Sequence, residues 1–261
     1  MNEDNTLKNK TVNGMLWSFI DLFSGRGIQF LTTVILARVL LPEDFGLIAI
    51  VLLLIAISNS LIDGGFSQAL IREQELSNED YSTVFYCNVI LSFLMYGILF
   101  GSAQSIAVFF DHPSLENMIK IFSLIIIVNS FGLVQKVRLI KQINFNLQTV
   151  INLIAGVISG IVAVFCALTL FGAWSIIIQT MLMQVIQVSL LWICNRWVPL
   201  FRFNFDSLKK LFTFSFQMMI STLINTIYNN LFYIIIGKFY PTKLLGYYTN
   251  ADKLNEMASV S

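Results

Sequence analysis

Side chains able to do chemistry are sparse in this chain, and inside its apolar runs they gather on one side of a helix. Residues turn by about 100° each on an ideal helix, so Ser18, Asp21, Gly25, Arg26, Gln29, Thr32 and Thr33 share one arc of about 140°. At an offset of 200 in the numbering, Ser221, Thr222, Asn225, Thr226 and Asn229 fall in the corresponding arc, with Asn230 just outside it. Hydrogen bonding between neighbouring helices is one use of such a face. A water-filled cavity for polar cargo is the other. Asp21 and Arg26 favour the cavity, because a charge deep in an apolar helix is costly and usually faces an interior path. A guanidinium there can grip an anion through two parallel hydrogen bonds. Its flanking Gly25 and Gly27 would let a headgroup come close. An internal ion pair of Arg26 with Asp21 is the alternative, although five residues apart is poor geometry for one helix.

These residues need elements to hold them, and the composition names the solvent. Hydrophobic residues make up 56% of the 261 residues. Charged residues make up 12%, about half the share of a soluble domain. The fold class that follows is all-α, a polytopic bundle of transmembrane helices. Runs long enough to cross as helices lie near 14–36, 45–66, 84–110, 119–135, 148–170, 173–194 and 211–236, and a further one begins near 244. A formal net charge of +1 gives no reason to expect a nucleic-acid partner. Cys87, Cys166 and Cys194 have no C-x-x-C spacing and read as packing residues.

Basic residues orient the bundle. Lys8, Lys10, Arg72, Lys136, Arg138, Lys141, Arg196, Arg202, Lys209 and Lys210 all belong to one side. The other side has Arg38, Lys120, Lys238 and Lys243. The excess places the N-terminus and its side in the cytoplasm. Ser77 with Asp80 three residues on is a cap for the third span, and Asp206 is placed to cap the seventh. Gly97/Gly101 and Gly156/Gly160 have the spacing of close helix packing. His112, in "FDHPS", reads as a solvent-exposed loop residue.

The chain also repeats itself. "ILARVLLPEDFGLIAI" at 35–50 has a partner in "IIGKFYPTKLLGYYTN" at 235–250, with Arg38 matching Lys238 and Gly46 matching Gly246, and with Pro42 and Pro241 one place out of step. Six spans separate the copies, so the repeats run in the same direction, as in some transporters. The expected organisation is a cytoplasmic N-terminus over 1–13, a six-helix lobe over 14–195, a cytoplasmic linker over 196–210 and the start of a second lobe over 211–261. Two such units need about 400 residues, so the sequence reads as part of a longer protein.

The segments "LARVLLPEDFGLIAI", "IDGGFSQALIREQELSNEDYSTVFYCNVILS", "KVRLIKQINF" and "LLGYYTNADKL", in that order, resemble the polysaccharide transporter family. These are the Wzx-like flippases and the O-antigen and teichuronic-acid exporters of the multidrug/oligosaccharidyl-lipid/polysaccharide superfamily. The resemblance implies two six-helix lobes around a cavity, and movement of an undecaprenyl-diphosphate-linked oligosaccharide to the outer leaflet by alternating access. No cofactor is implied beyond a coupling proton or sodium ion. The partners it implies are the lipid-linked oligosaccharide, membrane lipid, a glycan polymerase and glycosyltransferases.

On that reading Arg26 contacts the diphosphate, and Gln29, Asn225 and Asn229 contact sugar hydroxyls or else bond between helices. Asp21 binds the coupling ion or pairs with another helix. Asp63, in "IDGGFSQ", is a helix end with a possible gate role, and Arg72, Lys136, Arg138 and Lys141 face the cytoplasm and anionic lipid. The sequence has no P-loop, no Ser-His-Asp set and no Asp-x-Asp motif, which argues against an enzyme. Two other readings stay open: a small-molecule antiporter of the multidrug branch, and a non-transporting remnant or scaffold.

Overall fold

The computed structural model describes residues 25, 27–169 and 171–258. Its helices are α1 (Gly27–Val39), α2 (Pro42–Asp63), α3 (Phe66–Arg72), α4 (Asn78–Phe109), α5 (Ser114–Phe122), α6 (Leu124–Lys141), α7 (Phe145–Leu168), α8 (Trp174–Asn195), α9 (Phe205–Asn229), α10 (Leu231–Phe239) and α11 (Thr242–Ala258). No strand occurs among the described residues. By length and composition α2, α4, α5 with α6, α7 and α8 can each cross a membrane, and α9 with α10 makes a sixth span bent by 42°. The protein is therefore a polytopic helical membrane protein. The fourth span, expected over 119–135, is longer at both ends and runs from Ser114 to Lys141 through a break at Ser123.

Local chemistry accounts for the helix ends. Pro42 opens α2 with its missing N–H in the first turn, where no partner is needed. Asp44 Oδ2 accepts the Leu41 N–H at 3.1 Å, and its Oδ1 accepts the Ala173 N–H at 3.1 Å, tying the start of α2 to the α7–α8 turn. Gly64 and Gly65 follow α2 at φ 52° and 74° and reverse the chain into α3. A Cβ on Gly65 would also lie 2.7 Å from Met218 Cβ, so α9 packs directly on this turn. Ser77 and Asp80 form the expected capping box on α4. Replacing Ser77 with alanine should cost about 1 kcal/mol, the usual value of such a cap, read as a lower thermal midpoint in detergent.

The cap of α9 differs from expectation. Asn204 is the cap, its side chain accepting from the Asp206 and Ser207 N–H groups at 2.9 and 3.3 Å, and Asp206 sits in the first turn. The bend between α9 and α10 falls at Asn230, whose side-chain amide donates to the Thr226 carbonyl at 2.8 Å. The same carbonyl keeps the Asn230 backbone N–H at 3.1 Å, so it is shared between ladder and side chain, and back-bonding of this kind bends helices.

The core is centred on α2. Its Phe45, Ile48, Ile50, Val51 and Ile55 pack with Leu115, Ile119 and Ile177 from α5 and α8, and with Leu245 from α11. A second cluster joins Phe66, Leu70, Phe85, Val134 and Leu211 around Trp197 of the α8–α9 connection. Gly156 and Gly160 let α7 approach α1, where their Cβ positions lie 3.6 Å from Ile28 and 3.0 Å from Thr32. Gly97 and Gly101 have the same spacing but meet nothing, so they serve no packing contact among the described residues. His112 is half-buried rather than open to solvent, and its Nε2 bonds to Thr242 Oγ1 at the start of α11.

Candidate functional site

Two adjoining chambers with mixed polar and apolar linings lie within the bundle. One of about 430 Å³ is lined by α2, α3, α6, α7 and α8 and is partly open. The other, of about 480 Å³, lies between α1, α2, α7, α8 and α11. Lys136, Asn152 and Gln187 line both, so the two chambers adjoin at these side chains and together make up the recess.

Each wall comes from a stripe of lining residues with helical spacing. On α7, Asn152, Gly156 and Ser159 recur at intervals of four and three. On α8, Ile176, Thr180, Met183 and Gln187 do the same, and Gly25 does so with Gln29 and Thr32 of α1. These intervals keep each set on one helix face, and α7 packs on α8, so the stripes meet. Gln187 Nε2 donates to Asn152 Oδ1 at 3.1 Å, linking α8 to α7. Asn129 Nδ2 donates to Asn59 Oδ1 at 3.4 Å, linking α6 to α2. The hydroxyls of Thr32 and Thr180 are satisfied by their own helices, at 2.8 Å each. Asn129 Oδ1 and Gln148 Oε1 are buried acceptors with no protein partner.

Two ammonium groups reach the recess. Lys136 enters from α6 and has no ion-pair partner among the described residues. Lys253 enters from α11 and lies 5.7 Å from the ring of Phe45. The acid on these walls is Asp63, whose Oδ1 accepts from the Ser67 hydroxyl at 2.6 Å and the Ser67 N–H at 3.2 Å. No group of three His, Cys, Asp or Glu side chains suited to a metal ion occurs among the described residues. Amides and hydroxyls around two cations suit a ligand that combines many hydroxyl groups with a negative charge.

The structure distributes the candidate residues unevenly. Gln29, Asp63 and Lys136 line the recess. Asp21 and Arg26 lie outside the described residues. Asn225 and Asn229 stand at exposed positions of α9 and line neither chamber. Their neighbour Thr226 is the one that reaches α2, where its Oγ1 lies 2.9 Å from Ser60 Oγ. Arg72 is exposed, its guanidinium 4.4 Å from the ring centre of Phe214. Arg138 lies over the rings of Tyr81 and Trp197 at 5.5 and 5.4 Å, away from the chambers. The stripes on α7 and α8, and Lys253, are the site residues that a search led by charges on α1 and α9 does not reach. Their intervals of four and three were the available signal.

Known proteins match this sequence along half or more of its length. The chain is 29% identical over 249 residues to the succinoglycan biosynthesis transport protein ExoT of Rhizobium meliloti, covering 95% of this chain and 50% of that protein. It is 26% identical over 196 residues to the teichuronic acid biosynthesis protein TuaB of Bacillus subtilis, covering 74% of this chain and 41% of TuaB. It is 28% identical over 141 residues to the lipopolysaccharide biosynthesis protein WzxC of Escherichia coli, covering 54% of this chain and 29% of WzxC. The chain thus spans half or less of the length of each. No solved structure matches it. A family described as polysaccharide biosynthesis protein matches residues 35–260, nearly all of the described chain. The protein accordingly belongs to that family, in agreement with its resemblance to the polysaccharide transporters.

Proposed function

We propose that the protein moves a diphosphate-linked oligosaccharide on a polyprenyl carrier from the cytoplasmic to the outer leaflet of the inner membrane, by alternating access, and does no covalent chemistry on it. The observation that carries this reading is the recess itself. A chamber inside a membrane bundle, walled by Asn152, Gln187 and Gln29 and holding Lys136 and Lys253, offers neutral donors and acceptors for sugar hydroxyls and positive charge for a phosphate. Such a charge offsets the desolvation that an anion meets in a low-dielectric layer. A cavity for cationic drugs would call for acids instead, and the acid here, Asp63, is engaged by Ser67. In this reading Arg26 adds a further cation, and Asp21 holds the coupling proton or sodium ion.

Deleting the gene in its host should cause the diphosphate-linked oligosaccharide to accumulate on the cytoplasmic side. Restoring the 261-residue frame or a longer native frame tells which length carries transport. Accumulation relieved by either frame supports the reading. Absence of accumulation, with surface glycan intact, removes it. Export by an Asp21→Asn protein that keeps its full dependence on the ion gradient would remove the coupling role alone.

A further inference from the structure

The connection between α8 and α9 is neither helix nor loose loop. Trp197 is 6% exposed and packs on Arg138, Tyr81 and Phe85. Beyond it the backbone is tied to the start of α4. The Leu200 N–H donates to Ser82 Oγ at 2.9 Å and the Asn204 N–H to Thr83 Oγ1 at 3.1 Å. Arg202 pairs with Glu79 at 3.3 Å. Ser82 and Thr83 are fully buried, and their hydroxyls donate in turn to the Asn78 and Glu79 carbonyls. The segment is thus pinned along its inner edge.

Its outer edge is apolar. Phe201 is 98% exposed, Phe205 75% and Val198 68%. Phe203 packs edge-on to Phe205 at 5.7 Å, and the ring of Phe201 lies 6.4 Å from that of Tyr86, so the exposed apolar side chains follow one another along this short segment. A rigidly held patch of this kind in water would be an unusual surface. Its position supplies the solvent. α8 ends at Asn195 and α9 begins at Phe205, and both belong to segments fit to cross a membrane. The residues between them therefore lie at the lipid–water boundary, the level that aromatic rings favour. Arg196 and Lys209 flank the patch, both exposed and without an ion pair among the described residues. Such cations favour the anionic headgroups of a leaflet surface.

We propose that residues 196–205 form a lipid-docking strap, in which Phe201, Phe205 and Val198 enter the headgroup–acyl boundary of the leaflet at this end of the bundle. Because the strap is bonded to α4 and leads directly into α9, its insertion fixes the depth at which α9 enters the membrane. The proposal rests on the membrane placement of α8 and α9 and is independent of what is transported.

The test places a nitroxide at position 201, 205 or 74 of the full chain in a cysteine-free background, in liposomes of phosphatidylcholine and phosphatidylglycerol. Gln74, exposed in the α3–α4 turn, is the water reference. The expected result is that collision with oxygen relative to a water-soluble nickel complex is several-fold higher at 201 and 205 than at 74. Equal ratios would put the strap in water and overturn the proposal. Exclusion of both colliders would mean that protein covers it, and would overturn it as well. A Phe201→Trp chain with its cysteines in place gives a second reading. Its added emission should be quenched by brominated phosphatidylcholine and spared by iodide, and the reverse would refute the strap.

Discussion

Alanine at Gly46 or Gly246 is expected to lower the stability of the protein by about 1–3 kcal/mol each, the range for overfilling a tight contact. Alanine at Gly97 or Gly101 should be neutral or stabilising. All four are helical glycines, so propensity alone favours alanine at each by about 1 kcal/mol. What separates them is the space. A Cβ on Gly46 would overlap the Thr242 carbonyl oxygen and lie 2.7 Å from Thr242 Cγ2. A Cβ on Gly246 would overlap the Pro42 carbonyl and lie 3.2 Å from Pro42 Cα. The obstacle in both cases is backbone, and no rotamer change relieves it. At Gly97 and Gly101 nothing lies within 4 Å.

The contact has a further property that makes the prediction sharper. Gly46 and Gly246 are the same position in the two copies of the repeat, as are Pro42 and Thr242. Each glycine lies under the carbonyl of the other copy's first helical residue, so the contact is reciprocal, as at a two-fold axis. Helices in membranes associate through such small residues because lipid offers no hydrophobic drive to bring them together. The two substitutions strike one seam, so the double Gly46→Ala/Gly246→Ala protein should lose less than the sum of the two. Thermal unfolding of the four single variants and the double in one detergent decides it. Equal midpoints for Gly46→Ala and Gly97→Ala would show that the seam does not hold α11 on α2.

That seam shows where the sequence stops being readable. The repeat at an offset of 200 is plain in one dimension, and the element boundaries follow it, with α1 and α10 ending at Val39 and Phe239 and α2 and α11 starting at Pro42 and Thr242. That the copies would rest on each other is a tertiary fact that no local pattern contains. The six spans from α2 to α10 were legible for a simple reason, since a run of apolar residues longer than a membrane is thick has few other uses. The further one expected near 244 is instead the 17-residue α11, which is not among the helices long and apolar enough to cross. The cap at Ser77 was legible because its two partners are three residues apart. Asn204 and Asp206 are both good capping residues, and only the path of the strap over α4 decides between them. A helical wheel fixes which residues share a face, but not what the face looks at. Gln29 faces the recess, while Asn225 and Asn229, equally polar, do not. The site was also divided among several helices. Asn152, Gln187 and Lys136 belong to segments far apart in sequence, and each alone reads as an ordinary polar residue in an apolar helix.

Loss of charge at Lys136 and Lys253 together is expected to reduce export of the lipid-linked precursor by about ten- to a hundred-fold in apparent affinity, corresponding to roughly 1.5–3 kcal/mol for a hydrogen bond to a charged group. Lys136 is the stronger case. It lines both chambers and no carboxylate among the described residues pairs with it, so a diphosphate in the recess would be its first anionic partner. Lys253 depends on the seam, because it lies eleven residues past Thr242 on α11, roughly 16 Å along the helix. Loosening the seam should therefore weaken export through Lys253 as well, whereas Lys136→Gln should leave the thermal midpoint unchanged. Lys136→Arg keeps the charge and should retain most of the export that Lys136→Gln loses, since arginine binds phosphate at least as well. The measurement is the accumulated precursor in cells carrying each variant at equal membrane abundance. A Lys136→Gln/Lys253→Gln protein that clears the precursor as fast as the parent would mean that these lysines do not hold the phosphate, and would leave Arg26 as the remaining candidate.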